Sequence, residues 1–96
     1  MVDKKYLQKA IELWGAEAQL DMLMEECGEL ISAVNKFKRR RLYQDDVASE
    51  IVDVELMCAQ IKEMINPEIY ESVRKYKVER FMNLIKQYEG KEVNHE

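Results

Sequence analysis

Apolar residues recur along this chain at three- and four-residue steps and nowhere alternate with polar ones, the period of amphipathic helices rather than strands. Leu7, Ala10, Ile11 and Trp14 share one face of a short first helix that Asp3 can cap, and Gly15 offers a break or tight bend after it. A longer helix is expected from about Ala16 to Lys38, carrying Leu20, Leu23, Met24, Cys27, Leu30, Ile31 and Val34 and ending in cations that suit a helix C-terminus. Arg39 to Gln44 reads as a connector. Asp45 or Asp46 is placed to cap a third helix with Val47, Val54, Met57, Ile61, Met64 and Ile65 on one stripe. That helix should stop at Asn66, where Asn66 as cap and Pro67 at the first helical position start a fourth. The last pattern runs through Ile69, Val73, Tyr76 and Leu84 to about Tyr88, leaving residues 89–96 as an expected flexible tail. The expectation is an all-α, four-helix bundle forming one domain over residues 1–96.

At 96 residues the chain can bury only a modest core. Sharing helices between copies is the natural remedy, so a homodimer or homotetramer is expected. A formal net charge of -4 argues against binding a nucleic-acid polymer, which usually requires a basic excess. Cys27 and Cys58 fall inside helical stretches, with no CxxC and a single histidine in the chain, so neither a disulfide framework nor a zinc site is indicated. The compartment expected from that usage is the reducing cytoplasm. No apolar run approaches the roughly 20 residues needed to span a bilayer, and Met1 to Tyr6 does not resemble a signal peptide; no membrane association is expected.

The candidate chemistry lies in carboxylates. Glu26 and Glu29 stand three residues apart, as do Glu50 and Asp53, so each pair projects from neighbouring turns of a helix. Spacing alone carries little weight, because with 19 acids in 96 residues about four such pairs arise by chance. Position decides more. At about 100° per residue, Glu50 falls near the centre of the arc that holds Val47, Val54, Met57, Ile61 and Met64, and Asp53 lies about 60° from it. Glu55, Lys62 and Glu63 occupy the opposite, solvated face. An ionised carboxylate facing an apolar interior must be protonated, paired with a cation or bound to a metal. On the second helix Glu26 and Glu29 sit roughly 100° and 160° from the main apolar stripe, with Met22, Leu30, Ala33 and Phe37 on the Glu26 side. A carboxylate cluster between packed helices reconciles both pairs. Oxygen-only ligation selects a hard cation, Mg2+ by default with Mn2+ as a possible substitute, and points to phosphate chemistry.

Lys77 and Arg80 fall on the same arc as Ile69, Val73, Tyr76 and Leu84, where either snorkelling or phosphate contact would explain them. The cluster from Lys36 to Arg41, including Lys38, is a second candidate for touching substrate, although cations at a helix end also serve the dipole.

Glu25-Glu26-Cys27-Gly28-Glu29-Leu30, followed after twenty intervening residues by Glu50-Ile51-Val52-Asp53, resembles the EExxE...ExxD signature of the MazG-like all-α nucleoside triphosphate pyrophosphatase superfamily. Trp14-Gly15-Ala16-Glu17-Ala18-Gln19 and Lys77-Val78-Glu79-Arg80 also look like segments of such proteins, so the similarity covers most of residues 6 to 85. The resemblance implies a dimeric or tetrameric bundle that hydrolyses a nucleoside triphosphate to the monophosphate and pyrophosphate. It implies Glu26, Glu29, Glu50 and Asp53 as magnesium ligands, and water attacking the α-phosphorus with metal assistance. Glu25 and Glu26 are the carboxylates implied to position or deprotonate that water, Lys77 or Arg80 to assist at the phosphates, and Trp14 and Gln19 to meet the base. A non-catalytic reading stands beside it, in which the chain is a helical oligomerisation module whose buried acids form structural salt bridges with Lys77 and Arg80.

Overall fold

A computed structural model of the protein describes residues 2–41 and 43–94 and holds four α-helices: α1 (Lys4–Trp14), α2 (Ala16–Lys38), α3 (Gln44–Lys62) and α4 (Pro67–Asn94). Among the described residues there is no strand, and no helix is long and apolar enough to cross a membrane. The chain divides into two compact units, Met1–Met64 and Ile65–Glu96.

In the first unit the helix ends explain the path of the chain. The Lys5 N–H donates to Asp3 Oδ1 at 3.1 Å, the cap expected for α1. Gly15 closes that helix, its N–H bonding Ile11 O at 2.8 Å. Its φ of 89° lies in a region open to glycine and strained for other residues, and this permits α2 to begin at the next residue.

α2 ends in a Schellman motif, in which the Arg40 N–H bonds Phe37 O at 2.9 Å and the Arg41 N–H bonds Lys36 O at 2.8 Å. The left-handed residue this motif requires is usually glycine; here it is Arg40, with φ 58°. An L-residue with a side chain pays roughly 1 kcal/mol or more for that conformation.

α3 departs from expectation at both ends. Its N-cap is Tyr43, which makes no side-chain capping bond, while Asp45 and Asp46 lie inside the first turn, where their charge meets the positive end of the helix dipole. The helix stops at Lys62, short of Met64 and Ile65, because the Glu63 and Met64 N–H groups tighten to bonds with Gln60 O (3.0 Å) and Ile61 O (2.9 Å). That turn also changes the surroundings of Glu63. Expected on a solvated face, its side chain is only 14% exposed and takes up Lys4 Nζ at 3.8 Å and Gln8 Nε2 at 3.2 Å, tying the start of α1 to the end of α3.

A short connector makes α2 and α3 antiparallel neighbours, and α1 packs on both. The less exposed side of α2 runs through Gln19, Leu23, Glu26, Leu30 and Ala33, spaced alternately by four and three residues. Facing positions on α3 are Glu50, Asp53, Met57 and Gln60, at the same spacing. These are interhelical seams of the coiled-coil kind. The α2 seam is thus rotated from the apolar stripe expected: Leu20, Met24, Ile31 and Val34 are exposed, Ile31 by 71%. A shallow two-helix contact buries one narrow line per helix, and α2 turns the line containing Glu26 toward α3. Among the described residues only Ala33, Met57 and Gln19 are buried.

The second unit is α4. Asn66 Oδ1 accepts from the N–H groups of Glu68 (2.9 Å) and Ile69 (3.3 Å), the cap expected before Pro67. The helix continues to Asn94, past Tyr88 and through most of the segment expected to be a tail; residues 95 and 96 lie outside the described part. Ile69, Val73, Tyr76 and Leu84 were expected as a core face but are exposed, as are Phe81, Ile85 and Tyr88. A single helix has no second layer within its own unit in which to bury them.

Candidate metal centre

The acids brought together come from the middles of α2 and α3, where backbone hydrogen bonding holds each Cα and the side chains project from adjoining turns. One carboxylate oxygen from each of Glu26, Glu29 and Glu50 falls within 4.8 Å of the others. Asp53, one turn beyond Glu50 on the same seam, is close enough for its charge to act on both Glu26 and Glu50. The two pairs seen in the sequence therefore meet across one interhelical contact.

The site is electrostatically unsatisfied. Glu26 Oε2 and Glu50 Oε2 are each shut off from water and have no hydrogen-bond partner. Burial first, then the charges of Glu29, Asp53 and Glu50, hold the Glu26 carboxyl above the usual carboxylate range, and a hydrogen bond with Glu29 adds to the rise. Burial likewise raises Glu50, followed by the charges of Glu29 and Asp53 and by a hydrogen bond with Glu29. None of the four acids forms an ion pair among the described residues. An all-oxygen donor set, concentrated negative charge and two orphaned oxygens fit a hard divalent cation.

Beside the acids lies an open concavity of about 340 Å³ between α2 and α3, bordered by Glu29 and Glu50 together with Ser32, Lys36, Asp46 and Ser49. Sequence reasoning did not single out the two serines. Their signal was available in part: Ser32 is three residues after Glu29, and Ser49 three after Asp46, which borders the same concavity, so each stands beside an acid on the rim. Gln60 was also missed. It sits on the α3 seam seven residues beyond Asp53, donates from Nε2 to Met57 Sδ at 3.7 Å, and leaves its buried Oε1 without a partner.

The other expected site residues are distributed more widely. Gln19 is buried on the α2 seam, two turns before Glu26. Glu25 is exposed next to Glu26, and Trp14 is 64% exposed at the end of α1. Lys38 borders a different concavity, at the corner after α2, rather than the one beside the acids. Lys77 and Arg80 belong to α4, where both are exposed and Arg80 lines a shallow surface hollow with Tyr76, Glu79 and Asn83. No protein-family model, curated protein or solved structure matches the chain.

Proposed function

We propose that the protein is a Mg2+-dependent nucleotide pyrophosphohydrolase that cleaves a (deoxy)nucleoside triphosphate to the monophosphate and pyrophosphate. The observation that carries this reading is the convergence of carboxylate oxygens from Glu26, Glu29 and Glu50 to within 4.8 Å of one another, with Asp53 near enough for its charge to act on two of them and two oxygens left without partners. The resemblance of the strings around these acids to the MazG-like signature supports the same reaction. Those four residues would hold the ion, Mg2+ or in its place Mn2+. When bound, it supplies charge neutralisation at the phosphates and acidifies a water for attack.

The chain's own contribution is to position and to accept a proton. Lys36 offers a point charge, and Ser32 and Ser49 offer hydroxyl donors, along the concavity that adjoins the acids. Water oxygen bonds to the α-phosphorus, the bond between that phosphorus and the α,β-bridging oxygen breaks, and pyrophosphate departs with the electron pair. Glu25, exposed beside Glu26, takes the proton of the attacking water. The resemblance further implies a phosphate contact for Lys77 or Arg80 and a base contact for Trp14 and Gln19. A homodimer or homotetramer in the cytoplasm is part of the proposal: Ile31, Phe81 and Tyr88 are each more than 60% exposed, and a chain with so small a core gains most by covering them with further copies. The alternative, an inert oligomerisation module whose acids pair with Lys77 and Arg80, makes the opposite prediction: Glu50→Gln would change stability, with no turnover to lose.

Product analysis with and without Mg2+, over a panel of canonical and modified nucleoside triphosphates, tests the reading. Magnesium-dependent release of monophosphate and pyrophosphate, lost in Glu50→Gln with helicity retained, is expected. Absence of turnover across the panel, or an unchanged rate in Glu50→Gln, would overturn it.

A further inference from the structure

We propose that the corner between α2 and α3 is a second nucleotide site, independent of divalent metal and of the hydrolytic reading. An open concavity of about 570 Å³ lies there, lined by Phe37, Lys38, Arg40, Arg41 and Tyr43. Three cations and two aromatic rings on one concave wall match a ligand with an oligophosphate and a planar ring.

Among the described residues the cations lining the cavity are unpaired, although Asp45 and Asp46 open α3 a few residues on. Five of the six residues from Lys36 to Arg41 are cationic, and Lys38, Arg40 and Arg41 form no ion pair among the described residues. Favourable interaction with the α2 C-terminus accounts for a cation or two in the last turn, but that effect fades beyond it. It does not account for Arg40. That residue occupies the left-handed position of the Schellman motif, φ 58°, where glycine would close the helix with the same backbone bonds and without strain. A guanidinium is kept at a conformationally unfavourable point, and its side chain borders the cavity. Tyr43 is 80% exposed and Phe37 43% exposed, leaving ring surface available for stacking on a base.

The site is separate from the acid cluster. Lys38 follows Glu29 by nine residues, about 13 Å along the α2 axis, and the two concavities share no lining residue. Metal-free carboxylates repel phosphate, whereas this corner attracts it without a cofactor. The size of the cavity and the net charge of -4 favour a single nucleotide over a nucleic-acid strand.

The test is calorimetric titration of the full chain with ATP, inorganic tripolyphosphate, adenosine and a short single-stranded oligonucleotide, in buffer stripped of divalent cations. ATP should bind more tightly than tripolyphosphate, and adenosine most weakly. Arg40→Gly should weaken ATP binding by about tenfold or more while raising Tm by several degrees, since it removes a phosphate contact and a strained conformation together. Tyr43→Leu should weaken ATP and leave tripolyphosphate unchanged. No ATP binding without metal, an Arg40→Gly affinity equal to wild type, or an ATP affinity insensitive to Tyr43→Leu would overturn the proposal. Binding of the oligonucleotide far more tightly than ATP would also overturn it, in favour of a polymer interface.

Discussion

Glu26 on α2 and Glu50 on α3 share two acidic neighbours, Glu29 and Asp53, and each holds its Oε2 away from water with no donor to meet it. Two buried, partnerless carboxylate oxygens on facing helices oppose the α2–α3 contact at neutral pH, so the same feature that suits a cation weakens the metal-free fold.

The pH dependence follows from that opposition. Both carboxyls have folded pKa values raised above the ordinary glutamate value of about 4.3, so between that value and the raised one the folded state binds more protons than the unfolded state. Stability contributed by these groups therefore falls as pH rises through this window. Thermal melts of metal-free protein should give a higher Tm just above pH 4.5 than at pH 7, after correction for other groups with the Glu26→Gln/Glu50→Gln double variant. An equal pH slope in wild type and double variant would contradict the assignment.

Divalent ions should reverse the penalty. Saturating Mn2+ or Mg2+ is expected to raise Tm at pH 7, because a ligand bound only by the folded state stabilises it by mass action. Differential scanning fluorimetry should show the rise in wild type and little of it in Glu50→Gln. The metal-free variant should itself melt higher than metal-free wild type.

Gln60 presents a smaller imbalance of the same kind. Its Oε1 is buried and without a partner, and the Nε2 contact to Met57 Sδ is weak. Gln60→Met keeps the volume and removes the orphaned oxygen; a gain of about 1 kcal/mol, or about 4 °C in Tm, is expected from chemical and thermal melts.

Met57 is the largest of the buried apolar side chains among the described residues, at 6% exposure. Truncating Met57→Ala should cost about 2–3 kcal/mol, visible as a lower urea midpoint with loss of α2–α3 packing.

The α4 start offers a local test. Asn66→Ala removes the acceptor for two backbone N–H groups, at a cost of about 1 kcal/mol, and should show as faster amide exchange confined to the first turn of α4.

Much of this molecule was legible along the chain. Helix starts and stops at Asp3, Gly15, Lys38, Asn66 and Pro67 are set by local chemistry, namely caps, a permissive glycine, a terminal run of cations and an imide that suits a first turn. Glu50 too could be read as inward-facing, because its neighbours at helical spacing are apolar. Other features depended on what packs against what. Glu26 was placed beside the α2 stripe by periodicity, yet lies on the seam, since the line a helix buries is chosen by its partner as well as by its own hydrophobicity. Glu63 left the solvated face once α3 ended early and Lys4 and Gln8 came within reach. The wide exposure of α4 was hidden for a related reason: an apolar stripe in a sequence records a tendency to be covered, not the surface that covers it. The sequence by itself determined where helices form and which carboxylates recur at gripping distance along each of them. Only tertiary structure decided that Glu26, Glu29 and Glu50 meet, because contact between helices distant in sequence depends on their rotation and register, which no local interaction sets.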